Sequence, residues 1–182
     1  MGVYKESNNL KYISNGDAVL TELTKTVRLS LDQHNWYAAI IVSLTLPDIC
    51  AKVDGRFGKT TAARYPAWYE RYVVERNKPP TTLSEYDFFS PKDCYALRCA
   101  FLHEGSMDIN SQPAHEYVNA FSFKLSDDMR WVISNSETKA TIHLNLKQFC
   151  EDICNGVEAW VIETEGEEEI AKMLSKLPRI DI

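Results

Sequence analysis

Hydrophobic and polar positions divide the 182-residue chain into helical, extended and again helical stretches. After Asp17, Leu20, Leu23, Val27 and Leu31 recur at three- and four-residue steps, which predicts an amphipathic helix. The next run, WYAAIIVSLTLPDICAKV, is apolar nearly all round and predicts a helix buried on most sides. Pro47 should kink or interrupt that helix, because it removes a backbone donor and clashes with the preceding turn. DGRFG reads as a turn. From Thr60 to Arg76, Tyr65, Trp68, Tyr69, Tyr72 and Val73 fall at helical steps and predict a third helix with a basic outer face, ended by NKPP. Ser90-Pro91-Lys92-Asp93 is a strong start signal, since serine caps, proline fits the first helical position and an acid suits the first turn. The fourth helix is therefore placed from Pro91 to Glu104, with Gly105 as its stop.

From Tyr117 the period changes to alternation. YVNAFSFKL, MRWVIS and KATIHLNL predict short strands of a small antiparallel sheet, with SDD and SNSET as turns. Phe149, Ile153, Val157, Trp160 and Val161 restore the helical period, and a short acidic helix follows. The fold class expected is mainly α: an antiparallel helical bundle with a small antiparallel sheet inserted at about 117 to 144, before the last long helix. Residues 1 to 182 are read as a single domain.

Composition narrows the function. No stretch approaches the roughly 18 consecutive apolar residues of a membrane span, and no leader pattern opens the chain, so a cytoplasmic protein without membrane association is expected. Five cysteines, an odd number, read as reduced thiols. Cys150 and Cys154 lie one turn apart but lack further ligands at metal-site spacing, so no metal and no cofactor are expected. A net charge of -6 argues against indiscriminate coating of nucleic acid. The charge is uneven, however. Residues 52 to 78 carry seven bases against three acids, and residues 151 to 182 carry nine acids against three bases. The basic stretch, with Arg64 and Arg71, is the candidate contact for an RNA backbone, against the plainer reading of a solvated helix face.

The candidate chemistry lies in CYALRCAFLHEG, residues 94 to 105. Leu97 and Phe101 make this helix apolar, yet it carries Arg98 and His103. Either Arg98 meets an acid inside its own bundle, or this face is a groove or interface awaiting an anion. On a regular helix, positions five apart point about 140° from each other. The length of arginine, a loosened last turn at Glu104-Gly105, or two copies meeting across a two-fold axis would bring the groups together. His34, His115 and His143 each stand alone in the sequence.

LRCAFLHEG, preceded by a helical half containing LPDIC and followed by HLNLKQFCEDICNGVEAWV, resembles the HEPN superfamily. Its helical bundles carry an arginine and a histidine with four to six residues between them, near the end of a late helix. The resemblance covers roughly residues 17 to 105 and 146 to 163, and the motif itself is Arg98 and His103. It implies a metal-independent endoribonuclease acting as a homodimer with the motif in the dimer cleft, a toxin or phage-defence component paired with an antitoxin protein. In that reading His103 is the general acid/base and Arg98 the phosphate clamp, with Asp48 and Glu104 as supporting residues. The same resemblance leaves open a non-catalytic module that binds nucleotide or RNA, or serves in regulatory dimerisation. Cys99 speaks for that alternative, standing where active members carry a polar residue.

Overall fold

The computed structural model describes residues 15–77, 90–126 and 131–178. Lys78, the remainder of NKPP and the second and third residues of SDD lie outside them. Helix α1 spans Asn15–Asp32, three residues ahead of its expected start at Ala18, and α2 spans Trp36–Asp54. The α2 helix runs through Pro47 without interruption, so of the two effects expected of this proline, a break is not found. Pro47 is itself buried, as are Ala39, Ile40, Leu44, Leu46, Cys50 and Ala51, so packing on several sides holds a segment whose hydrogen-bond ladder lacks one donor. Among the described helices, α2 alone is long and apolar enough to cross a membrane, but half of it is buried against α1, α3 and α6. Most of its apolar side chains serve the core, while Tyr37 and Ile41 are exposed. Gly55 closes it with a left-handed φ of 72°.

The third helical stretch is α3 (Thr61–Tyr69), a π-helical turn at Glu70–Val74 and the short α4 (Glu75–Asn77). Trp68, Tyr65, Tyr69 and Tyr72 are all buried, so the aromatic face of this stretch is core. The expected basic outer face is largely neutralised: Arg56 bonds Asp54 and Glu167, Arg71 bonds Glu163, and Arg64 turns inward. The acid-rich C-terminal third supplies two of these partners, so the two charge excesses partly meet across the fold.

Helix α5 (Pro91–Cys99) begins as the sequence predicts, with the Ser90 hydroxyl accepting from the Asp93 N–H at 3.0 Å. A second π-helical turn, Ala100–Glu104, follows it. Buried Asp93 has a further role: it accepts from the backbone N–H groups of Glu116 and Tyr117. The strands are β1 (Ala120–Lys124), β2 (Trp131–Asn135) and β3 (Ala140–Asn145), in the order β1-β3-β2. The sheet is mixed rather than antiparallel. β2 and β3 form an antiparallel hairpin with Ile133 opposite Ile142, whereas β1 lies parallel to β3 with Phe121 opposite Ile142. Alternating residues identify a strand without identifying its neighbour, and here β3 takes the middle place. Asn145 caps α6 (Leu146–Glu163) by accepting from the Gln148 N–H, and α7 (Glu168–Leu174) follows. Where α6 crosses the first π turn, a Cβ at Gly156 would lie 2.9 Å from the Tyr72 carbonyl oxygen, so only glycine permits this approach.

Candidate functional site

Asp48 of α2, Arg64 of α3, and Arg98 and His103 of the α5 segment meet in one cluster. The second π turn explains how Arg98 and His103 can touch. A π turn hydrogen-bonds from i to i+5, so positions five apart stack along one face instead of diverging. Arg98 Nη1 lies 2.9 Å from His103 Nε2. The loosened last turn is thus the route taken. Gly105 ends it with φ 66°, and the Ser106 N–H bonds the Ala100 carbonyl at 3.1 Å, a closure one residue wider than the usual helix stop.

Arginine can only donate, so the contact requires an unprotonated Nε2 on His103, which leaves the ring proton on Nδ1. Arg98 Nη2 donates to Asp48 Oδ2 at 3.1 Å, and Arg64 Nη2 donates to Asp48 Oδ1 at 3.0 Å. Arg64 Nη2 also reaches Thr61 Oγ1 at 2.9 Å. The side chains of Arg64, Arg98 and Asp48 are 12%, 17% and 21% exposed, whereas His103 is exposed. The cluster is therefore a partly sunken cationic patch with an imidazole at its mouth.

Of the two arrangements open for Arg98, the acid within the bundle is the one found. Yet among the described residues one carboxylate serves two permanent cations, leaving an excess positive charge. Arg64 Nε and Arg98 Nε are both buried without an acceptor. An unmet buried donor costs about 1–3 kcal/mol, so the cluster is poorly explained as a device for stability alone.

Asp48 joins the cluster as an ion-pair partner of both arginines. Glu104 does not: it is exposed and accepts from Gln112 Nε2 at 2.7 Å. Arg64 is not on an open RNA-facing surface but in the cluster, while Arg71 is half-exposed and paired with Glu163. Cys99 and Tyr95 flank Arg98, with the Tyr95 ring 5.5 Å from that of Tyr65. Burial, and then a hydrogen bond with Cys99, raises the Tyr95 hydroxyl above its ordinary value of 10.0. The other histidines sit elsewhere: His34 beside Trp36, His115 on the Gln112 carbonyl and His143 on Ser134. A cavity of about 410 Å³ between α1 and the start of α6 is also separate, and its Arg28 is already bonded to Glu151 and Glu158.

Arg64 is the residue whose place the sequence did not disclose. Its contact with Asp48 spans the packing of α2 against α3, and no local spacing encodes it. The chain matches no family model, and comparisons with curated proteins and with solved structures give no match either.

Proposed function

We propose that the protein is a metal-independent endoribonuclease, with His103 as general acid/base and Arg98 as phosphate clamp in a cleft between two copies of the chain. The observation that carries this reading is the contact of Arg98 Nη1 with His103 Nε2 at 2.9 Å at the rim of a cationic patch. It sets a phosphate-binding fork beside a nitrogen able to accept a proton. In the proposed reaction a scissile phosphate takes the guanidinium donor and frees Nε2. His103 then removes the proton from a ribose 2′-hydroxyl, and that oxygen attacks the adjacent phosphorus. The P–O5′ bond breaks, the departing O5′ takes the proton that His103 removed from the 2′-hydroxyl, and the products carry 2′,3′-cyclic phosphate and 5′-hydroxyl ends. Arg64 adds a second positive charge against the phosphorane. A restraining antitoxin partner and a role in phage defence belong to the same proposal.

Labelled RNA incubated with the protein in EDTA tests it. Cleavage giving cyclic phosphate ends is expected, with His103→Ala and Arg98→Ala each losing about 100-fold or more while circular dichroism stays native. Full activity in both variants, or cutting that requires a divalent cation, rejects the assignment. A second reading, a module that binds RNA or nucleotide without cutting, draws on the bond between Arg98 and Asp48. Binding without fragments in the same assay supports it.

A further inference from the structure

The cluster holds two guanidinium groups from different helices against a single carboxylate. Arg64 takes one oxygen of Asp48 at 3.0 Å and Arg98 takes the other at 3.1 Å, so Asp48 is a bridge with no oxygen left over for either Nε. His103, neutral in this contact, adds no compensating charge. Two fixed cations that share one anion among the described residues, partly open to solvent, are arranged to receive a second anion or to exchange the first. The first lies between the forks, where a tetrahedral oxyanion would be held most strongly.

We infer that Asp48 is an exchangeable occupant: its carboxylate stands where a phosphate group binds, and phosphate enters by displacing Asp48 from Arg64 and Arg98. The inference rests on reading Arg98 as a phosphate-binding group. It needs no cleavage, so binding and cutting can fail separately. Arg64 then becomes the second arm of the clamp, and a phosphate gains from the site only what remains after the internal carboxylate has been released. Asp48 thus lowers the affinity for stray phosphate and keeps both forks aligned between turnovers.

Calorimetric titration with inorganic phosphate at constant ionic strength, with chloride as control, tests the exchange. Asp48→Asn keeps the shape and removes the competing charge, and should bind phosphate about tenfold or more tightly than the wild type. Adding Arg64→Ala should abolish that gain. A 2′-O-methylated dinucleotide, which cannot be cut, separates a ribonucleotide phosphodiester from free phosphate, and in both arms the gain must depend on Arg64. Unchanged or weaker binding by Asp48→Asn overturns the inference, as does a gain that survives loss of Arg64. Should Asp48→Asn fail to fold, the wild-type background carries the test: Arg64→Ala must weaken phosphate binding as much as Arg98→Ala, and indifference to Arg64 overturns it.

Discussion

Burial sorts the five thiols. Cys50, Cys94, Cys150 and Cys154 are buried, and loss of water around them pushes each thiol up, Cys94 and Cys154 to about 12 and Cys150 to about 11. Cys99 is half-exposed beside Arg98. A thiol-specific disulfide reagent at pH 8 should therefore label one cysteine per native chain and all five in guanidinium chloride, and phosphate should slow the native reaction if it enters beside Arg98. Cys99→Ser should abolish the native label. The sequence supported Arg98 and His103 as a pair because charged and titratable groups on an apolar helix call for an explanation. It supported Arg64 only as a member of a basic stretch, since its inward turn depends on Asp48, 16 residues earlier on another helix.

At the scale of elements, periodicity located the long helices because each buries a continuous face, and the Ser90 cap was legible from local chemistry. Neither π turn was. A single widened turn barely alters the apolar spacing of its helix, yet it decides which side chains meet. This gives a direct test. On a regular helix the position four residues after Arg98 would face it best, whereas the π turn gives that place to the fifth. Moving the imidazole one residue earlier, in the double variant Leu102→His/His103→Ala, should leave cleavage as low as in His103→Ala. Restored activity would mean that the turn is α-helical in solution. Strand pairing was illegible for a related reason: β1 and β3 carry the alternation of strands, but their parallel alignment is set by the β2–β3 hairpin occupying the other edge of β3.

Over the whole molecule, Asp54 joins the end of α2 to α6 and the turn before α7. Trp160 Nε1 donates to it at 2.7 Å, and Arg56 bridges it to Glu167. Burial alone would raise the Asp54 carboxyl, but the Arg56 guanidinium and the Trp160 indole more than offset this and hold it below its ordinary 3.8. A carboxylate lowered in the folded state contributes stability that is complete above its unfolded value and is lost as pH falls through the folded one. Asp54→Asn should thus cost about 1–3 kcal/mol at neutral pH, and its denaturation midpoint should fall less steeply than the wild type's below about pH 4. An acid limb identical in slope would assign the acid sensitivity to other carboxylates.

The Asp93 contacts join the opening turn of α5 to the chain just ahead of β1. Residues 93 to 117 accordingly form a buckled strap, fastened near its origin, with Arg98 and His103 carried on its length. Within that strap the Met107 carbonyl accepts from the Phe121 N–H and the Ile109 N–H bonds the Asn119 carbonyl, across a bridge of Asp108 to Ala120. Trimming the stretch between Gly105 and Glu116 would therefore tug on the sheet and on the buckle together and reach the imidazole from both.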